Sequence, residues 1–381
     1  MPDHQLDFLF LGPAPPFRGG IAETQYELAK HLLDNDKKVA LFSFSKLYPK
    51  LLFPGKKQKI SGTLNPSLID TTANIHAYHP LKWNKVVRQV NELNPRYLIF
   101  RYYTPFLAPV YGWLAKKINQ HIIKIALVDN WTPHEKTPLD SILNRYFGKK
   151  MNAFSTFSKA VALQIKKDFK LPLWQGYHPI NTHLPKPISK LEARKKLGWD
   201  SQQKIVLFFG LIRQYKGLEL LIAAFAKNPL NETNIILKVV GECYEDPKKY
   251  TDLVQRLGLQ SKVEFDFKYQ SLNQVQYVFS ACDLVAQTYH TATQSGVTPM
   301  AYFYNKPLLV SDIEGLNTPI RNDHTGVCVK KDPKKIALGI EDLLKSENYR
   351  RIQNNLKKSL PSYQWDNWIK EWSHFILSLE H

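Results

Sequence analysis

The sequence has little cysteine, comparatively little acid and no long apolar run. Cys243, Cys282 and Cys328 are the only cysteines in 381 residues. They are scattered and odd in number, so neither a disulfide framework nor a metal-spaced pair follows. A reducing cytosol is the simplest compartment. No stretch approaches the roughly 20 apolar residues that a membrane span needs. The opening, MPDHQLDFLFLG, has no basic region before its short apolar run, which has the length of a strand rather than of a signal peptide. The dinucleotide fingerprint Gly-x-Gly-x-x-Gly is also missing. Acidic residues number 33 against 52 basic ones, a formal charge of +19. Such an excess favours an anionic partner: a nucleic acid, a phosphorylated substrate or an anionic lipid surface. The lysines are spread over both halves and no nucleic-acid motif is present, which argues against nucleic acid.

What is present is the composition of a folded chain, with 44% apolar, 12% aromatic and 22% charged residues. The length predicts about two domains. Strand-like runs are LDFLFLG (6–12), KVALFSF (38–44), RYLIFRY (96–102), IIKIALV (122–128) and NAFSTF (152–157), with helical spacing over 20–35. A proline-rich segment, GYHPINTHLPKPI (176–188), interrupts the pattern and reads as a hinge. The alternation then restarts. KIVLFFGL (204–211), NIILKVVG (234–241), KVEFDF (262–267), DLVAQTY (283–289) and PLLVSD (307–312) read as strands, and LELLIAAFA (218–226) as a helix. Apolar strands alternating with helices predict α/β architecture: two Rossmann-like, doubly wound parallel-sheet domains over 1–175 and 189–360. The segment 361–381 places Trp365, Trp368, Trp372, Phe375 and Ile376 at helical spacing. It predicts a C-terminal helix that packs its apolar stripe on a domain or dips into a membrane.

Four segments at the ends of these strands can carry chemistry. In Gly12–Gly20, the pair Gly19 and Gly20 permits a close approach of backbone N–H groups to a phosphate, and also fits an ordinary turn. In Gly210–Gly217, Arg213 and Lys216 bring a forked guanidinium and an ammonium to one strand end, a combination suited to a diphosphate; the alternative is a solvated charged face. In Tyr289–Val297, small hydroxyl residues with Gln294, Ser295 and Gly296 form a candidate sugar or phosphate cradle, or a plain helix cap. In Val128–Glu135, Asp129, Asn130, His134 and Glu135 gather groups able to move protons or to bind sugar hydroxyls, or form a polar loop.

Taken in order, these residues resemble a glycosyltransferase of the GT-B fold, family 4 type, over nearly the whole chain. GPAPPFRGGIAETQYELAKHL is similar to that family's first strand, Gly-Gly loop and helix. FFGLIRQYKGLELLIAAF resembles its donor-diphosphate segment. YHTATQSGVTPMAYFYNKPLLVSDIEGL is similar to the donor loop of a bacterial cell-envelope branch, as are LYPKLLFPGKK, TPFLAP and YHPI. The resemblance implies two domains facing across a cleft, and a nucleotide-sugar donor transferred with retention of configuration by a hexosyltransferase. It also implies a lipid-linked, lipopolysaccharide or exopolysaccharide acceptor, with no metal or other cofactor required. It assigns the donor diphosphate to Arg213 and Lys216 beside Gly210, and the phosphate and sugar on the other side to Gly19 and Gly20. Gln294, Ser295 and Gly296 would line the donor sugar. His134, with Arg213 and Lys216, would be catalytic, and Asp129, Asn130 and Glu135 would contact acceptor or sugar.

One departure stands out. The two glutamates that many such enzymes carry eight positions apart fall on Ala292 and Met300. That departure makes a catalytically silent GT-B subunit a competing reading, and a nucleotide-sugar epimerase, which shares the two-domain architecture, is another. Residues 46–59 interleave Lys46, Lys50, Lys56, Lys57 and Lys59 with Leu51, Leu52 and Phe53. That segment is expected either to lie peripherally on an anionic, cytoplasmic membrane face or to be an ordinary solvated loop.

Overall fold

The computed structural model describes residues 4–17, 19–47, 69–133 and 137–380. The chain forms two compact units, residues 1–178 with 365–381, and residues 179–364. The first unit holds strands β1 (Leu6–Leu11), β2 (Val39–Lys46), β3 (Asp70–His76), β4 (Pro95–Tyr102), β5 (Ile123–Val128), β6 (Ala153–Thr156) and β7 (Leu173–Gln175). Its helices are α1 (Gly20–Asp34), α2 (Trp83–Leu93), α3 (Ala108–Lys117), α4 (Asp140–Gly148) and α5 (Lys159–Asp168). The second unit holds helices α6 (Lys190–Leu197), α7 (Leu218–Phe225), α8 (Lys248–Arg256), α9 (Leu272–Ala281), α10 (Val297–Phe303), α11 (Glu314–Asp323), α12 (Pro333–Leu344) and α13 (Ser346–Ser359). Its strands are β8 (Lys204–Phe209), β9 (Ile235–Val240), β10 (Val263–Asp266), β11 (Leu284–Gln287), β12 (Leu308–Ser311) and β13 (Gly326–Val329). The last helix, α14 (Trp365–Leu377), belongs to the first unit.

Both sheets are parallel throughout. Their strand orders are β3-β2-β1-β4-β5-β6-β7 and β10-β9-β8-β11-β12-β13. Each is the doubly wound order, in which the chain reverses its direction of winding next to the first strand. The two units are Rossmann-like α/β domains, as the alternating pattern predicts. The structure adds three strands that the apolar runs did not announce: β3, β7 and β13. All three are sheet edges.

Strand alternation accounts for the core of the first unit. Leu9 and Leu11 of β1, with Leu98 and Phe100 of β4, face the layer built by α2 to α5. Phe8 and Phe10, with Tyr97 and Ile99, face the opposite layer. That layer is made by α1 and α14: Trp365, Trp368, Trp372 and Ile376 are buried there. The Trp372 indole N–H donates to Ser155 Oγ (2.9 Å), and that of Trp368 to the Tyr177 carbonyl (3.0 Å). The apolar stripe of α14 is thus spent on the protein core. Among the described residues no helix is long and apolar enough to cross a membrane.

Without α14, one face of the first sheet would keep only α1 as cover. Replacing a buried Trp by Ala typically costs about 3–5 kcal/mol. Trp372→Ala is therefore expected to lower the stability of the first unit by about that much, read as a shift of its transition in urea. A change under about 1 kcal/mol would show that the helix is an accessory.

Candidate active site

In the second unit, β8 and β11 are neighbours at the point where the winding reverses. In open α/β sheets ligands bind outside the carboxyl ends of strands at this point. Two of the sequence segments leave the sheet here, Gly210–Gly217 after β8 and Tyr289–Val297 after β11. The two loops are joined. His290 N–H donates to the Tyr215 carbonyl (2.7 Å), and Thr288 Oγ1 donates to the Gly217 carbonyl (2.9 Å). Gly217 has φ +60°, and a side chain there would collide with the Thr288 carbonyl, so the junction requires glycine.

Lys216 ends a 3₁₀ turn over Gln214–Lys216 and is 8% exposed. Its ammonium folds back over the strand end. A Cβ on Gly210, itself at φ +100°, would lie 3.2 Å from Lys216 Nζ. The Tyr289 ring lies 5.4 Å from the same nitrogen. Arg213 is half-buried, with its guanidinium 5.0 Å from the centre of the Tyr244 ring.

Neither cation has a carboxylate partner or a side-chain hydrogen bond among the described residues. The comparison with other buried lysines is informative. Lys124 donates to the carbonyls of Asn119 and Ile122, Lys306 to those of Ser280 and Cys282, and Lys238 pairs with Glu264. Lys216 is buried without such compensation. An uncompensated buried charge is costly, and burial followed by the Arg213 charge pushes its pKa down to about 8. An anion placed against both side chains would remove that penalty. Gln294 brings a second unmet group: its Oε1 is buried and without a hydrogen-bond partner. Ser295 Oγ accepts from the Val297 N–H (3.2 Å), and Gly296 is the exposed cap residue of α10.

Ala292 and Met300, at the places of the two glutamates, are both partly buried against the core of this unit. Sequence reading missed the Glu219–His290 pair, which ties α7 to the loop after β11, and the stacking role of Tyr244. A lone carboxylate and a lone aromatic ring carry no spacing signal that would have found them. An open cavity of about 740 Å³ at the far edge, lined by residues including Arg321, Cys328 and Arg351, contains none of these site residues.

In the first unit, Gly19 caps α1 at φ +110° and Gly20 opens that helix; both are exposed. Asp129 follows β5 and is 4% exposed, with Oδ2 and Oδ1 taken by Arg101 Nε (2.6 Å) and Nη2 (2.7 Å). Its carboxylate thus holds Arg101, whose guanidinium also stacks 4.8 Å over Phe157. Asn130 beside it is half-buried. His134 and Glu135 lie outside the described residues. Arg101 is visible as a cation inside the apolar run RYLIFRY, but nothing in the spacing singles out Asp129 as its partner.

Residues 189–359 match the family model for glycosyl transferases group 1. The match lies within the second unit, and this part of the chain is similar to that family. An uncharacterised glycosyltransferase of Methanocaldococcus jannaschii is 31% identical over 186 residues, 48% of this chain and 47% of that protein. The chain thus spans about half the length of that curated relative. Among solved structures, sucrose-phosphate synthase of Thermosynechococcus elongatus aligns with TM-score 0.78 and 16% identity, covering 98% of this chain and 99% of that one. Anabaena HepE in complex with UDP-glucose aligns with TM-score 0.76 and 16% identity, covering 97% and 99%. At 16% identity these structural likenesses show a shared GT-B fold and nothing finer.

The titration of Lys216 gives a test. Below about pH 8 the side chain is charged; above it the free protein loses that charge, while a bound diphosphate would hold the proton on. Calorimetric affinity for UDP should stay level from pH 7 to about 8 and then fall roughly tenfold per pH unit. Arg213→Ala, which removes a repelling charge, should move the break to higher pH. A level affinity up to about pH 9.5 would contradict this role for Lys216.

Proposed function

We propose that this protein transfers a hexosyl group from a nucleoside diphosphate sugar to a lipid-linked or cell-envelope glycan, with retention of configuration. The observation that carries the reading is the buried, uncompensated Lys216 beside Arg213 at the switch point of the second sheet. As the sugar–oxygen bond breaks, negative charge develops on the departing diphosphate. Cations already fixed at that position stabilise the transition state more than the ground state, because little reorganisation is needed. Arg213 supplies a forked donor and Lys216 a point charge, and the two take the part a divalent metal takes in other transferases. Gln294, Ser295 and Gly296 lie on the adjacent loop, and we assign them to the donor sugar. Gly19 and Gly20, at the open N-terminus of α1, are assigned to the phosphate and sugar from the first unit. His134 is assigned a role at the reacting carbon, and Asn130 and Glu135 to acceptor or sugar contact. A cytoplasmic location with peripheral attachment to the inner membrane face fits an acceptor held in lipid; the basic residues Lys50, Lys56, Lys57 and Lys59 invoked for that attachment lie outside the described residues.

Ala292 and Met300 favour one second reading, a silent subunit that binds the donor without turnover. Incubation with a panel of nucleotide sugars, with and without a lipid acceptor extract, separates the possibilities. Acceptor-dependent release of nucleoside diphosphate supports transfer, isomerised donor supports an epimerase, and no turnover with any donor supports the silent subunit. Arg213→Ala and Lys216→Ala should each lower kcat/KM by roughly 100–1000-fold. Lys216→Ala should leave stability unchanged or raised, since it removes an unpaired buried charge. Near-normal turnover in both variants would contradict the diphosphate assignment.

A further inference from the structure

A second group of basic side chains lies in the first unit, at the carboxyl ends of β2 and β3, and the proposed transfer does not use it. Lys46 ends β2 and is the register partner of His76, which ends β3. The Ala77 N–H donates to the Lys46 carbonyl (3.0 Å). The chain then passes through Tyr78 and His79 into a 3₁₀ turn, Pro80–Lys82, and on into α2. The Trp83 indole N–H donates to the His76 carbonyl (2.8 Å) and pins this corner. The His76 ring meets Tyr78 edge-on at 4.5 Å and His79 at 5.3 Å.

Two features of the corner lack a structural explanation. His76 is 6% exposed, and the Nδ1 atoms of both His76 and His79 are buried with no hydrogen-bond partner among the described residues. Buried polar nitrogens are nearly always satisfied, so two on one turn call for a ligand. The surroundings select its charge. From Thr71 to Asn91 the sequence holds no acid, while it holds Lys82, Lys85 and Arg88; of these Arg88 pairs with Glu92. Burial first, then His79, Lys82 and Lys46, hold the His76 pKa below its usual value. A metal cation would meet the same repulsion, and among the described residues no metal-binding cluster of His, Cys, Asp and Glu is present. An anion would be attracted by every one of these groups and could accept from both imidazoles.

We propose that Lys46, His76, His79 and Lys82 form a binding site for a phosphate group, separate from the diphosphate site of the second unit. The phosphate has two possible sources, a soluble phosphate ester or a lipid headgroup. Leu81, 86% exposed beside Lys82, is the reason to include the second.

The test uses the full chain with isotope-labelled histidine, the two ring signals being assigned with His76→Gln and His79→Gln. Inorganic phosphate should shift both signals saturably. Lys82→Gln, at an exposed position where substitutions usually change stability little, should weaken that response roughly threefold to tenfold. Flotation on phosphatidylglycerol vesicles, reduced by Leu81→Ser and by Lys82→Gln, would identify the source as a headgroup. Phosphate-dependent shifts without flotation would identify a soluble ester. Histidine signals that neither phosphate nor vesicles move, or shifts that Lys82→Gln leaves unchanged, would overturn the proposal.

Discussion

A single unbalanced charge organises the second unit. Lys216 is held in the protein interior by the 3₁₀ turn, by the tight junction at Gly217 and by the closeness of Gly210, with an aromatic ring and a second cation for neighbours. A protein that needed only stability would have matched it with a carboxylate or a carbonyl, as it does for its other buried lysines. Leaving it unmatched costs folding free energy and leaves a preformed electrostatic hole. The function proposed for the molecule follows from what fills that hole.

The fold explains why the charge sits where it does. In the doubly wound order, the loops after β8 and β11 leave adjacent strands and turn to opposite sides. They are far apart in sequence yet cross-linked by backbone hydrogen bonds at Tyr215–His290 and by Thr288 on Gly217. The first unit has the same winding but a different use of its buried cation. Arg101 is paired with Asp129, so its charge is matched where that of Lys216 is not, although its Nη1 has no hydrogen-bond partner among the described residues. The contrast is the reason the diphosphate is proposed for the second unit.

Much of this was legible in the sequence, for identifiable reasons. Central parallel strands are buried on both faces, so they read as unbroken apolar runs, and every one of them was located. The missed strands β3, β7 and β13 are edges: DTTANIH, LWQ and GVCV are short or half-polar and carry no such run. The spacing of Arg213 and Lys216 between glycines was readable because a strand end restricts which residues can meet there. What spacing could not give was partnership. Nothing local to Asp129 announced that Arg101, on the neighbouring strand, would occupy both of its oxygens. Nor did the tryptophans of the last segment indicate that they would complete the core of the first unit.

The central claim is geometric and is tested most directly by a crystal structure of the protein with bound UDP. The account predicts diphosphate oxygens within about 3 Å of Lys216 Nζ and of the Arg213 guanidinium, at the carboxyl ends of β8 and β11. A nucleotide seated elsewhere, with both side chains turned away from it, would contradict the account.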